Sequence, residues 1–262
     1  MAQMSINGYL VEEQAAVFTG LNLVWRSGAA LVETMLWRNG GIRLGEEHLN
    51  RINSSTQLLE WPCVDTDKLS DAIIDVVKAN HLPERAVVRL QLFPEGEQTT
   101  SFVINTQPPP EPGPPLSIGW VPFVVTDRQS TSHLKTASRL IYHYADTVRK
   151  KKGWDDLLLL NNENCFVEST ISNLFLIKDQ KIITPPQSDG CIAGVMRRHL
   201  INSGEILGMA VEEASISFDD LNNATEVFLT NAVRGIRPVA KVNNRLFPTE
   251  LGYQLLSIVN QL

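Results

Sequence analysis

The sequence predicts a mixed α/β chain folded as two domains, and three observations carry that expectation. Short alternating or aliphatic runs interleave with stretches whose apolar residues recur at helical spacing. A proline run, Gln107-Pro108-Pro109-Pro110-Glu111-Pro112-Gly113-Pro114-Pro115, interrupts the chain with six prolines in nine residues. The 262 residues, 43% of them hydrophobic, are enough for one large core or two smaller ones.

The expected first domain is residues 1–107. Ile6 to Val11 reads as a short hairpin turning at Asn7-Gly8, a pair that tolerates the positive φ of a tight turn. Leu31 to Trp37 followed by Arg38 to Leu44 reads as a second hairpin, with Asn39-Gly40-Gly41 at its bend. Residues 45–60 and 66–80 are helical; Leu69, Ile73, Ile74 and Val77 mark one face of the second helix. Ala86 to Phe93 is a strand, with Thr100 to Asn105 as its partner.

Residues 108–115 form an extended, semi-rigid linker, because proline fits neither a helix interior nor a central strand. The expected second domain is residues 116–262. Leu116 to Val125 is a strand, Ser138 to Lys150 a helix, and Asp156 to Asn161 a buried strand. Ser172 to Ile177 and Lys181 to Thr184 form a hairpin about Lys178-Asp179-Gln180. A helix over Gly194 to Leu207 and a strand over Glu226 to Thr230 complete the reading.

Composition removes several function classes. The formal net charge of −6 and the lack of a basic stripe argue against nucleic acid, whose phosphates need clustered cations. The one dense basic run, Arg149 to Lys152, ends a helix and reads as a solvated last turn. Three cysteines, Cys63, Cys165 and Cys191, fit neither a disulfide framework nor a zinc site and suit a reducing compartment. The first residues lack the basic and apolar pattern of a signal peptide, and Leu157 to Leu160 is too short to span a bilayer. A cytoplasmic location is expected. Phosphate loops, H-E-x-x-H and G-x-S-x-G are absent, and the five histidines lack ligand spacing.

Two segments stand out instead. Ser132 to Leu140 places Lys135 between a strand and a helix. Asn161 to Phe175 is a turn, a strand ending at Glu168, a small polar run and a second strand. Beside Val167 and the Ser169-Thr170-Ile171-Ser172-Asn173-Leu174-Phe175 run, Glu168 is expected to be partly buried and to need a partner.

In this order the segments resemble the class IV aminotransferases, which are fold type IV pyridoxal phosphate (PLP) enzymes. The family includes branched-chain and D-amino-acid transaminases and 4-amino-4-deoxychorismate lyase. The lysine motif is Leu134-Lys135-Thr136, and the acidic motif follows from Glu168, 33 residues later. Pro185-Pro186 with Gly190 to Arg197, Leu229 to Ala232, and His48-Leu49-Asn50-Arg51-Ile52 also match in order. The resemblance implies a small N-terminal α/β domain, a larger mixed, barrel-like domain that binds PLP, and a site between them completed by a second subunit of a homodimer.

It also implies roles. Lys135 forms the Schiff base with PLP and moves the proton at the substrate Cα, which needs an amine able to lose its proton near neutrality. Glu168 keeps the pyridine nitrogen protonated, so that the ring acts as an electron sink. Arg51 is the cation for the phosphate, the Val195 and Met196 amides open a helix toward it, and the Thr230 hydroxyl closes the cup. Many relatives have threonine at Met196, so only backbone help is expected there. Ser172 and Asn173 of the acidic motif line the cofactor.

Substrates of such enzymes carry carboxylates, so arginines matter. Arg26 and Arg89 resemble the carboxylate-binding pair of some D-amino-acid transaminases, although Ser27 stands where relatives have an aromatic residue. Arg26 is the residue expected to serve the partner's site. Arg139, Asn231 and Ala232 are further substrate contacts, and Arg234 and Arg237 follow in a loop. The expected activity is amino transfer between a small amino acid and a 2-oxo acid. Arg139, four residues after Lys135, Gly194 to Arg197, and Thr230 to Val233 leading to Pro238-Val239 also suit a lyase releasing 4-aminobenzoate and pyruvate. A catalytically idle scaffold is disfavoured, because Lys135 and Glu168 are both present.

Overall fold

Two sheets organise the chain in the computed structural model, which describes residues 2–16, 23–96, 98–126 and 129–261. They belong to two compact units, Met1–Glu111 with Leu134–Arg139, and Pro112–His133 with Leu140–Leu262.

The first unit contains β1 (Gln3–Ile6), β2 (Tyr9–Glu12), α1 (Leu23–Ser27), β3 (Leu31–Arg38), β4 (Gly41–Ile42), α2 (Gly45–Leu58), α3 (Thr66–Ala79), β5 (Arg85–Glu95) and β6 (Thr99–Gln107). Its antiparallel sheet runs β2-β1-β6-β5-β3-β4. The β1–β2 turn is the expected one, with Asn7 and Gly8 at φ 51° and 91°. Strand alternation sends Leu31, Met35 and Trp37, with Ala86, Val88, Leu90 and Leu92, to one face. Leu69, Ile73, Val76 and Val77 of α3 and Ile52 of α2 complete that core. Each fully buried aliphatic there contributes about 1.5–3 kcal/mol of transfer free energy. Asp65 starts α3 by accepting from the Lys68 amide at 3.0 Å.

The second unit contains β7 (Leu116–Thr126), α4 (Leu140–Lys152), β8 (Asp156–Asn161), β9 (Phe166–Ser169), β10 (Asn173–Lys178), β11 (Lys181–Thr184), α5 (Val195–Asn202), β12 (Glu205–Ile206), β13 (Met209–Glu213), α6 (Phe218–Asn223), β14 (Glu226–Asn231), β15 (Gly235–Val242), β16 (Arg245–Leu246) and α7 (Glu250–Val259). The strands run β12-β13-β11-β10-β14-β15-β7-β8-β9, and β9 pairs again with β10. Strands β10, β14, β15, β7, β8 and β9 therefore close into a ring, sealed by the single register pair Glu168–Asn173. This is the barrel-like mixed sheet expected. Every residue of β8 is buried, as befits a strand covered on both faces. Leu158 and Leu160 pack with Phe166, Leu174 and Leu229, whereas Leu157 and Leu159 pack with Ala145 and Val148 of α4.

Three local expectations are corrected. The helix expected from Gly194 to Leu207 stops at Asn202, because Gly204 turns at φ 69° and Glu205–Ile206 pair with β13. The helix expected from Ser138 begins at Leu140, because residues 135–137 are held extended along β3. Arg237 lies in β15 rather than in a loop. Among the described residues no helix is long and apolar enough to cross a membrane, and no group of side chains has metal-binding geometry.

Candidate active site

Glu168 sits at the end of β9 with 2% of its surface exposed. A carboxylate removed from water needs donors, and three are in place. Tyr142 of α4 donates its hydroxyl to Oε1 at 2.6 Å. The Asn173 side chain and the Ile192 amide each donate to Oε2 at 3.2 Å. Asn173 also donates to the Ile192 carbonyl at 2.9 Å, which fixes the loop before α5.

The turn after Glu168 is pinned from beneath. Asp156, buried at the start of β8, accepts from Ser169 Oγ at 2.8 Å, from Thr170 Oγ1 at 2.5 Å and from the Thr170 amide at 3.1 Å. Burial pushes the Asp156 carboxyl above its ordinary range, against the pull of these donors. Ser169 and Ser172 exchange backbone and hydroxyl contacts across the turn, and Ser172 Oγ accepts from Asn231 at 3.1 Å. Asn231 also caps its own loop by accepting from the Val233 and Arg234 amides, with half-buried Ala232 between.

Register lines up the rest. Glu168 is opposite Asn173, and Asn173 is opposite Thr230. Directly opposed residues share a face, so Glu168, Asn173 and Thr230 form one row spanning two strand spacings, about 10 Å. Helix α5 packs against β14 and opens beside this row. At its N-cap, a methyl on Gly194 would lie 1.9 Å from Asn173 Oδ1, so only glycine permits the approach. Val195 and Met196 are buried in the first turn, where backbone N–H groups lack intrahelical partners. Thr230 Oγ1 is buried and has no hydrogen-bond partner among the described residues. A buried hydroxyl left unpaired costs about 1–3 kcal/mol; here it marks a place for an acceptor.

The other candidates belong to the first unit. Lys135 follows buried Leu134 in an extended segment beside β3. Its carbonyl accepts from the Val32 amide, the Ala137 amide donates to Ala30, and Thr136 bridges Leu31. Gly28 abuts Ser138, so the Arg26-Ser27-Gly28 stretch and the Lys135–Arg139 stretch are neighbours. Arg26 is exposed and Arg139 is half-buried. Arg89 is exposed on the sheet face opposite α2 and α3, between its register partners Thr34 and Asn105. Arg51 is buried at 5% exposure and meets Glu33 through Nε at 2.7 Å and Nη2 at 2.5 Å. His48 Nδ1 lies 2.6 Å from the same carboxylate. Burial would raise the Glu33 carboxyl, but Arg51 and His48 overcome it and hold it at about 2. Glu33 thus fixes the plane of the Arg51 guanidinium.

The structure brings Glu168, Ser172, Asn173, Val195, Met196, Thr230, Asn231 and Ala232 together in the second unit, and Lys135, Arg139 and Arg26 in the first. Arg237 donates instead to the Pro114 carbonyl at 2.8 Å, within the proline run. Sequence reasoning missed Tyr142, Asp156, Glu33 and His48 as supports. For His48 a signal existed, since it shares the matched His48–Ile52 segment with Arg51. Tyr142 and Asp156 carry no signal of their own.

A family profile described as "Amino-transferase class IV" matches residues 30–242, most of the chain, from β3 through β15. The chain belongs to the class IV aminotransferase family. A probable branched-chain-amino-acid aminotransferase of Thermotoga maritima is 30% identical over 210 residues, covering 77% of this chain and 72% of that one. The Escherichia coli branched-chain amino acid aminotransferase structure superposes on this class IV chain with a TM-score of 0.89 at 20% identity, covering 99% of this chain and 94% of that one. The structure of 4-amino-4-deoxychorismate lyase from Pseudomonas aeruginosa gives a TM-score of 0.86 at 25% identity and covers 98% of both chains.

Proposed function

We propose that this class IV enzyme is a PLP-dependent aminotransferase that moves an amino group between a small amino acid and a 2-oxo acid. The observation that carries the reading is the Glu168–Asn173–Thr230 row beside the first turn of α5, with the Thr230 hydroxyl buried and unpartnered. An acid at one end, and an orphan donor with open helix amides at the other, suit a molecule with a basic ring nitrogen and a phosphate. When bound, PLP supplies an electron sink for the pair released from the amino-acid Cα.

The chain's own residues supply the rest. Lys135 is the covalent anchor and the amine that takes and returns the Cα proton. Glu168, held in place by its donors, keeps the ring nitrogen protonated. Thr230, the Val195 and Met196 amides and Arg51 hold the phosphate, with Met196 acting through its backbone only. Ser172 and Asn173 shape the cup. Arg26, Arg89, Arg139, Asn231 and Ala232 bind the substrate and its carboxylate, and two subunits complete the enzyme. Branched-chain amino acids are the first donors to assay, given the relatives' names.

Borohydride reduction should fix PLP irreversibly on the wild type and leave Lys135→Ala unlabelled and inactive. A labelled Lys135→Ala variant sinks the assignment. One observation favours a second reading: the match to a lyase structure covers 98% of both chains, and Arg139 stands where several lyases have arginine. Amino transfer that requires 2-oxoglutarate supports the aminotransferase. Pyruvate release from aminodeoxychorismate without an acceptor supports the lyase.

A further inference from the structure

We infer that Tyr142 is a positioning residue for Glu168: its hydroxyl aims the carboxylate that serves the cofactor's ring nitrogen. The inference rests on the proposed role of Glu168 and extends it to a side chain on another element. Tyr142 is half-buried and packs against the apolar cluster that contains Val121, Leu157 and Leu159. Leu159 is the register partner of Glu168 across β8 and β9. The strand pair and the packed ring thus fix where the hydroxyl goes, and it lies 2.6 Å from Oε1.

The donors on Glu168 are divided. Asn173 and the Ile192 amide both act on Oε2, while Tyr142 acts on Oε1. The terminal torsion of a glutamate is soft and has broad preferences. Asn173 and the Ile192 amide hold Oε2, and the Tyr142 hydroxyl adds a contact on Oε1 from α4, so the carboxylate is aimed from both of its oxygens. Without the hydroxyl, Oε1 loses the contact that α4 supplies, and its acceptor lone pairs shift from the line they held. A longer-range effect opposes this, because a carboxylate with one donor fewer is a stronger acceptor. Orientation wins, because a single ring N–H rewards a well-aimed oxygen more than a slightly more basic one.

Tyr142→Phe keeps the ring and its packing and removes only the hydroxyl, so the variant is expected to fold. The test compares the affinity of the apoenzyme for PLP and for 1-deazapyridoxal phosphate, in which C–H replaces the ring nitrogen. Glu168→Gln is measured first. It should weaken PLP binding and leave the deaza analogue nearly unaffected; equal effects on both cofactors would overturn the role of Glu168 and this inference with it. Given that discrimination, Tyr142→Phe should weaken PLP binding about tenfold, as for one hydrogen bond to a charged group, and change the deaza affinity less than about twofold. An equal loss for both cofactors, or none for either, would mean that Tyr142 only packs, and would overturn the inference while leaving Glu168 in place.

Discussion

At the scale of single residues the site sets a well-held carboxylate, Glu168, beside a hydroxyl, that of Thr230, with no partner among the described residues. Thr230→Val removes a buried hydroxyl without a partner and keeps the shape. The apoprotein should gain on the order of 1 kcal/mol of stability, while PLP binding weakens about tenfold. Thermal melts with and without PLP read both effects, and a loss of apo stability would show that the hydroxyl already has an acceptor. Glu33 behaves in the opposite way. Its carboxyl falls from the ordinary 4.5 to about 2 in the folded chain. Its contribution is therefore complete above pH 4.5 and is lost as pH falls toward 2. Glu33→Gln should lower stability at neutral pH by on the order of 3 kcal/mol, because buried Arg51 loses its counter-charge. The gap to the wild type should close through that acid window in denaturant titrations. A gap that is flat with pH would contradict the pairing.

Lys135 and Glu168 were legible because each sits in a run of residues whose local chemistry is distinctive. Tyr142 was not legible. Its only claim is a hydroxyl that reaches Glu168 from 26 residues away, and no local pattern encodes such a meeting. Glu33 was hidden in the same way within an alternating strand, where every second residue is expected to be apolar.

Elements show where local patterns suffice and where tertiary contacts decide. The turn at Asn7-Gly8, the fully buried β8 and the face of α3 follow from spacing and turn chemistry. The end of α5 does not, because apolar residues continue past Asn202 while Gly204 and pairing with β13 turn the chain into a strand. The start of α4 moves because the Lys135 segment is recruited by β3. The start of α5 is the most constrained of these ends. Gly194→Ala would place a carbon 1.9 Å from Asn173 Oδ1. Asn173 would have to leave Glu168 and Ile192, at a cost of about 2–4 kcal/mol. A lower melting temperature and loss of PLP binding should appear together. A variant with unchanged melting would show that the N-cap can yield.

Across the whole molecule, the sequence indicated an α/β chain and a break in the proline run, but not the closure of the second sheet. Ring closure joins β9 to β10 and β7 to both β8 and β15, pairings with no signature shorter than the fold itself. Thiol reactivity gives a global test of this packing. Cys63 is exposed, whereas burial pushes the Cys191 thiol up to about 12. Mild alkylation at neutral pH should label Cys63 quickly and leave Cys191 unmodified until the chain unfolds. Labelling of Cys191 in native protein would show that the loop before α5 opens.

The seal between Glu168 and Asn173 gives the ring closure a further meaning. A barrel fastened by one register pair has a place to unzip, and unzipping exposes the edge of β9 to other chains, while β10 keeps β11 and β14. A ligand that bridges Glu168 and Thr230 lies across this zip. Its loss would disarm the catalyst and loosen the container at once, so resistance to aggregation should track the supply of cofactor.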